Sequence, residues 1–115
     1  MDPLDEITRK PERRPKGDLT GKQRKFLRAE AHHIDPLVRV GSAGLTAQVA
    51  EAASEALETH ELIKVKVLEG APVGRAEAGD FLTTECGAHL VGLIGRIAIL
   101  YRRHGERPQI RLPSR

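Results

Sequence analysis

The sequence predicts an α/β fold whose elements follow the order α-β-α-β-α-β-β around a mixed four-stranded sheet. Amphipathic segments with helical spacing alternate with short runs rich in Val, Ile and Leu, which is typical of strands linked by helices. The second and third helical segments are long enough to connect parallel strands. Gly95-Arg96, in contrast, is a two-residue turn between the last two apolar runs and permits only an antiparallel hairpin.

The composition indicates a single small globular domain with an aliphatic core. The chain has 115 residues, of which 39% are hydrophobic and 30% charged, and only three are aromatic: Phe26, Phe81 and Tyr101. Its one cysteine, Cys86, excludes an internal disulfide and a cysteine-rich metal site. No apolar run approaches the length of a membrane span, and the first residues lack the pattern of a signal peptide. We therefore expect a cytoplasmic protein without a membrane partner.

Both ends of the chain are expected to lie outside the folded domain. Residues 1–18 combine prolines with dense mixed charge and have few apolar side chains to bury, which predicts a disordered charged tail. The basic stretch 9–16 could touch nucleic acid, although a solvated linker is the favoured interpretation. The domain then covers residues 19–104, and residues 105–115 form a basic C-terminal tail.

The first helix carries a basic face. Thr20 and Gln23 have the spacing of a capping box, and the helix should run to about Ala31. Phe26, Leu27 and Ala31 form its apolar strip. The remaining faces hold four basic residues: Lys22, Arg24, Lys25 and Arg28.

A short strand over about residues 37–40 is followed by a Gly-x-x-Gly loop and then by a second helix. Gly41 and Gly44 permit positive φ and a close ligand approach, and the small Ser42 and Ala43 lie between them. Thr46 is a suitable N-cap, so unpaired N–H groups and the positive end of the helix dipole should face this loop. The arrangement favours a phosphate. A second Gly-x-x-Gly, at residues 92–95, has large apolar central residues and is interpreted as a strand that ends in a turn.

The second helix, over about residues 46–59, should be acidic on its outer side. Its core positions are Val49, Ala53, Ala56 and Leu57, whereas Glu51, Glu55 and Glu58 face outward.

The strand that follows, over residues 62–68, alternates regularly. Ile63, Val65 and Val67 point to one face of the sheet, and Lys64 and Lys66 point to the other. Both lysines are candidates for an anionic ligand.

The last third of the chain predicts a helix over about residues 73–85 and two strands over 89–94 and 97–102. Gly74 and Gly79 weaken the helix, and Cys86 is expected to be a small packed residue at its end. The final strand is apolar at nearly every position, so it should lie inside the sheet with both faces covered. The candidate core residues of this helix are Ala76, Ala78, Phe81 and Leu82.

Three other functions are considered for this part of the chain: a metal site, an enzyme and a protein adaptor. His32, His33 and Asp35 suggest metal, but no further cluster completes a site, so helix termination explains them better. An enzyme acting on a phosphorylated small molecule would need a catalytic group beside the loop, and only Ser42, His32 and His33 are near in sequence. A protein adaptor that uses the acidic side of the second helix is a third possibility.

Several motifs together resemble the CRM domain, named for chloroplast RNA splicing and ribosome maturation, and in particular its stand-alone bacterial YhbY-type members. The resemblance covers about residues 19–112. It rests on Leu19-Thr20-x-Lys22-Gln23-Arg24, Ala31-His32, Pro36-Leu37-Val38, Val40-Gly41-Ser42-Ala43-Gly44-Leu45-Thr46, His60-Glu61-Leu62-Ile63-Lys64-Val65-Lys66-Val67 and Gly95-Arg96-x-x-x-Leu100-Tyr101-Arg102.

The resemblance implies a fold similar to the C-terminal domain of translation initiation factor three and a non-enzymatic function in RNA binding. It also implies association with precursor large-subunit ribosomal RNA. We further expect a monomer that has no cofactor and no metal. By analogy with KH modules the loop would clamp an RNA backbone, although the KH loop joins two helices and this one joins a strand to a helix. The candidate RNA-binding residues are Gly41, Ser42, Ala43, Gly44, Thr46, Lys22, Arg24, Lys25, Arg28, Lys64 and Lys66.

Overall fold

The computed structural model describes residues 17–115, so most of the predicted N-terminal tail and its basic stretch 9–16 lie outside the described residues. The elements appear in the predicted order α-β-α-β-α-β-β. They are α1 (Gly21–Ala31), β1 (Val38–Val40), α2 (Ala47–His60), β2 (Leu62–Val67), α3 (Arg75–Cys86), β3 (His89–Ile94) and β4 (Ile97–Tyr101). Between Gly17 and Arg115, no helix is long and apolar enough to span a lipid bilayer.

The four strands form one mixed sheet in the order β1-β2-β4-β3. Parallel pairing joins β1 to β2, with Val38 opposite Val65, and β4 pairs antiparallel with both β2 and β3. Because β4 lies between two strands, it is the interior strand that its apolar sequence predicts, and four of its five residues are buried. The α3 connection joins strands of the same direction, but β4 is inserted between them, an order that connection lengths alone do not determine.

The sheet is covered on both faces. On one face α2 and α3 enclose the larger cluster, in which Ile63, Val65 and Val67 of β2 meet Leu57 and Leu82. On the other face α1 covers a second cluster. That cluster contains Leu19, Leu27, Ala31, Leu62, Val91, Ile99 and Tyr101.

The C-terminal residues also pack on the α1 side of the sheet, where Ile110 and Leu112 contact the second cluster. The predicted basic tail is therefore in contact with the domain along this stretch. Its charged side chains Arg107 and Arg111 are exposed, whereas the two apolar side chains are half-buried.

Local signals account for most element boundaries. The Thr20–Gln23 capping box is present, with Gln23 N donating to Thr20 Oγ1 at 3.1 Å and Thr20 N to Gln23 Oε1 at 3.0 Å. Gly87 ends α3 in the left-handed region with φ 63°. Gly95, at φ 57°, begins the hairpin turn that the sequence predicts after Ile94.

The core prediction for α3 was wrong at one position. Ala76 is exposed, because the buried face of α3 consists of Ala78, Gly79, Leu82 and Cys86. Gly79 does not only weaken the helix, since a Cβ there would lie 3.1 Å from Leu90 Cδ1 on β3. The glycine therefore permits close contact between helix and sheet. Cys86 is buried as expected, and its Sγ donates to Ala50 O at 3.4 Å.

Candidate nucleic-acid interface

The Gly41–Gly44 loop forms a tight turn directly after β1. Gly44 N donates to Gly41 O at 2.9 Å, and Ser42 and Ala43 at the tip are exposed. Gly44 has φ 76°, and a Cβ there would lie 3.1 Å from Pro72 Cγ. Of the two glycines that permit positive φ, only Gly44 adopts it, and a Cβ at Gly41 would meet only Leu68 Cδ1 at 3.9 Å. The turn thus requires glycine at position 44 but not at position 41.

The start of α2 faces the same region as the loop. Thr46 is the N-cap, and its Oγ1 accepts from Val49 N at 3.1 Å. The first turn carries no acidic side chain, and Ala47 and Gln48 are exposed. The positive end of the helix dipole is therefore not neutralised locally. An anion brought to the loop tip would approach this helix end without repulsion from a carboxylate of the first turn.

Three of the four basic residues of α1 are exposed: Lys22, Lys25 and Arg28. None of them forms an ion pair with another residue in the described range 17–115. The stem of Arg28 lies over β3, because a Cβ at Gly92 would come within 3.1 Å of Arg28 Cδ. These three side chains form a row of cations on the outer side of α1, which is available to an anionic partner.

Arg24 differs from its three neighbours on α1. Its Nε donates to Leu90 O at 3.2 Å and its Nη1 to Leu19 O at 2.8 Å. The guanidinium thus joins α1 to β3 and to the segment before the helix. Sequence spacing placed Arg24 with the other basic residues, but the structure gives its charge a role in holding α1 on the sheet.

A second group of cations lies on the bare part of the same sheet face. Ile63, Val65 and Val67 point to the α2–α3 side, so Lys64 and Lys66 point to the other face, as predicted, and this is the α1 side. Lys66 is exposed and Lys64 half-buried. Arg39 is the register partner of Lys66 on β1 and is also exposed, so the two side chains lie beside each other on one face.

Sequence reasoning missed Arg39 as a candidate. The available signal was its position between Val38 and Val40, both buried on the other face. Alternation along a strand places the central residue opposite its neighbours, and therefore on the side of Lys64 and Lys66.

The exposed carboxylates of α2 lie on the opposite side of the molecule. Glu51, Glu55 and Glu58 are exposed on the outer side of α2 as predicted. Among the described residues the ion pairs join Arg96 to Glu69 and Arg102 to Glu58, and His104 Nε2 lies 3.0 Å from Glu58 Oε2. The six cations on the α1 side are therefore unpaired within residues 17–115: Lys22, Lys25, Arg28, Arg39, Lys64 and Lys66.

A polar cleft of about 400 Å³ lies at the end of the sheet remote from the loop. His89 lines it and stacks on Tyr101 with ring centroids 6.2 Å apart. Burial lowers the pKa of His89, and the nearby Arg24 charge lowers it further, against the opposing effect of Asp18. Residues 17–115 contain no group of three or more His, Cys, Asp or Glu side chains that could hold a metal ion.

The histidines considered as catalytic candidates are separated from the loop by a strand. His32 and His33 lie after the end of α1 and before β1, whereas Ser42 follows β1. The three residues of β1 alone span about 10 Å. The structure therefore does not bring either histidine to Ser42.

Comparison with known proteins identifies a family that matches this chain. The family model for the CRS1/YhbY (CRM) domain matches residues 19–102. A Bacillus subtilis protein named "Probable RNA-binding protein YqeI" is 40% identical over 95 residues, covering 83% of this chain and 99% of the relative. A Haemophilus influenzae protein named "RNA-binding protein" is 39% identical over 97 residues, covering 84% of this chain and 97% of the relative.

A solved structure supports the same assignment. The solution structure of the hypothetical protein SAV1595 from Staphylococcus aureus has a TM-score of 0.71 and 37% sequence identity to this chain. It matches 83% of this chain and 99% of that protein. Since the family model spans most of the described residues and the relatives align over nearly their whole length, the chain belongs to the CRS1/YhbY (CRM) domain family.

Proposed function

We propose that this protein binds RNA and acts without catalysis, holding the RNA backbone against the Gly41–Gly44 loop and the basic α1 side of the sheet. The observation that carries the proposal is the set of six cations on that side that form no ion pair within the described residues. Unpaired Lys and Arg side chains on one face attract the phosphates of nucleic acid and release their counterions on binding. The relatives named as RNA-binding proteins support the same class of partner.

The loop and the cations would act on the same phosphate chain in different ways. N–H groups at the loop and at the start of α2 would hold one phosphate by hydrogen bonds. Lys22, Lys25 and Arg28 on α1, with Lys64 and Lys66 on β2, would add charge attraction along the backbone. Such contacts position RNA without reading its bases, so recognition by shape is expected.

The aromatic residues argue against recognition by base stacking. Tyr101 is only 2% exposed, and Phe26 and Phe81 are half-buried and pack against the two cores. A stacking platform of the RRM type needs rings that are open to the solvent. The three aromatic residues of the chain therefore serve packing, and phosphate contact is the main expected source of affinity.

The biological partner proposed here is precursor large-subunit ribosomal RNA, bound during ribosome assembly in the cytoplasm. This assignment rests on the resemblance of the chain to stand-alone bacterial YhbY-type proteins, and it takes the protein to act as a monomer without a cofactor. The alternative, an enzyme acting on a phosphorylated small molecule at the same loop, is disfavoured because His32 and His33 lie at the opposite end of β1 from Ser42.

The test compares binding of the full chain to large-subunit precursor particles before and after the α1 row is neutralised. Lys22→Gln, Lys25→Gln and Arg28→Gln together should lower affinity about tenfold or more, with little change in melting temperature, because exposed helix positions contribute little to folding. Glu51→Gln with Glu55→Gln, on the opposite side, serves as the control and should change affinity less than about twofold. Equal affinity for the parent and the triple variant would remove the basic face as the binding surface.

A further inference from the structure

The C-terminal strap, which we define as residues 104–115, is held on the domain by one buried carboxylate. Glu61 lies between α2 and β2 and is only 3% exposed. Its Oε2 accepts from His104 N, and its Oε1 accepts from Gln109 N and Ile110 N, each at 2.8 Å. One side chain therefore fixes both the beginning and the middle of the strap.

The charge of Glu61 is maintained by these contacts. Burial alone would raise the pKa of this carboxyl, but the backbone hydrogen bonds from His104, Ile110 and Gln109, with the charge of His104, hold its pKa below the usual value. Hydrogen bonds to an ionised acceptor are among the stronger ones in proteins. The carboxylate is thus an ionised anchor at neutral pH.

A second anchor fixes the other end of the strap to α1. Gln23, a buried residue of α1, donates from Nε2 to Pro113 O at 3.0 Å. Arg115 Nη1 donates to Asp18 O at 2.9 Å. Together with the packing of Ile110 and Leu112 on the second cluster, these bonds lay the strap across the α1 side of the sheet.

The anchored strap presents two arginines to solvent. Arg111 is exposed between Ile110 and Leu112, which face the protein, and Arg107 is also exposed. Neither forms an ion pair within residues 17–115. Arg111 precedes Pro113 by two residues, at most about 7 Å of chain, so it lies near the part of α1 that carries Lys22.

We propose that the strap is a third part of the RNA-binding surface, in which Arg107 and Arg111 contact phosphodiester groups and Glu61 is the positioning residue that fixes them. This inference rests on the proposed function. A loose peptide with the same charges would lose conformational entropy when RNA ordered it, whereas the strap is ordered in advance by Glu61 and Gln23. The strap would bind the same phosphodiester groups as the row of cations on α1, and it would extend the RNA-binding surface beside that row.

The direct test neutralises the two arginines. Arg107→Gln with Arg111→Gln should weaken binding to large-subunit precursor RNA by roughly 3- to 10-fold at physiological salt, because two phosphate contacts are lost. Glu51→Gln with Glu55→Gln changes the net charge by the same magnitude on the other side and should have less than about a twofold effect. If the arginine variant binds like the parent while the α1 triple variant loses affinity, the strap proposal is wrong and the proposed function stands. Full affinity in both variants would overturn both.

The positioning role is tested by Glu61→Gln, alone and combined with the two arginine changes. A glutamine amide can still accept from Gln109 and Ile110 but turns its NH₂ group toward His104 N, so the strap should loosen. Amide exchange at Gln109 and Ile110 should quicken, and RNA affinity should fall by a factor similar to that of the arginine variant. In the combined variant the two losses should not add, because Glu61 acts through the arginines.

Additive losses would show that Glu61 supports the fold alone and would overturn its positioning role. Should Glu61→Gln prove too unstable to assay, the arginine pair still decides the proposal, since both side chains are exposed and neutralising them leaves the buried anchors intact.

Discussion

Positive φ occurs at five described residues, and Glu61, with φ 64°, is the single one among residues 17–115 that is not glycine. A side chain in this region costs about 1 to 3 kcal/mol, so the surrounding structure must compensate for it. At Glu61 the compensation is visible as three hydrogen bonds of 2.8 Å to the strap. The strained residue and the anchor of the strap are therefore the same residue.

Gly44 is a position where the backbone conformation favours glycine. Gly44→Ala should destabilise the protein by about 1 to 2 kcal/mol, because φ 76° is left-handed and the new Cβ would lie 3.1 Å from Pro72 Cγ. Gly41→Ala is the matched control and should cost much less, since its φ is not positive and its nearest contact is an ordinary 3.9 Å. Urea denaturation of both variants measures the difference. Equal losses of stability in the two variants would mean that the positive φ and the Pro72 contact at Gly44 do not determine the stability of the loop.

These single residues show the limit of sequence reasoning at the finest scale. The Gly-x-x-Gly spacing does not distinguish Gly41 from Gly44. The close contact that makes a side chain unfavourable at Gly44 comes from Pro72, which lies in a later loop. Glu61 and Gln23 gave no sign of burial, since the strap groups that bond to their side chains lie more than 40 residues away along the chain. Polar side chains that satisfy distant backbone groups have no local pattern.

Elements were more predictable than single contacts. Periodicity identified the seven elements and the buried faces of α2 and β2, because each face follows from spacing within one segment. On α1, periodicity grouped Arg24 with Lys22, Lys25 and Arg28, although the Arg24 guanidinium donates hydrogen bonds to carbonyl oxygens of neighbouring segments. What sequence spacing cannot show is which basic side chain meets a backbone acceptor after folding.

The loop between β1 and α2 can be tested as a unit. Ser42→Asp with Ala43→Asp places two charges at the proposed phosphate position, and RNA affinity should fall about tenfold to a hundredfold through like-charge repulsion. Folding should be almost unchanged, because both positions are exposed and acidic residues are tolerated before a helix N-terminus. RNA titration and a thermal melt on the same samples separate the two effects.

A charge-matched variant controls for the loop experiment. Ala52→Asp with Thr84→Asp adds two exposed carboxylates to α2 and α3, away from the loop, and should change affinity by no more than about twofold. A folded loop variant that binds as tightly as this control would rule out a phosphate at Gly41–Gly44 and leave the basic face to carry the interaction.

At the scale of the whole molecule, the proposed function depends on how charge is distributed and not on the net charge. The formal net charge is only +3, which by itself indicates little. Folding places the exposed glutamates of α2 on one side of the sheet and six unpaired cations on the other. The sequence predicted the basic face of α1, the acidic side of α2 and the lysine face of β2. Their placement on opposite sides of the sheet, and the contribution of Arg39 and of the strap, depend on tertiary packing.

This separation predicts a steep dependence of RNA binding on salt. Not every cation meets a phosphate at once, so we expect roughly 3 to 6 neutralised phosphates and a slope of log affinity against log salt between about −2 and −5. Neutralising Lys22, Lys25 and Arg28 should make the slope shallower as well as lower the affinity, because fewer counterions are released. Titrations from about 50 to 200 mM salt measure both quantities for the parent and the triple variant. An affinity that stays flat over this range would show that contacts other than phosphates dominate, and the segregated charge would then need another explanation.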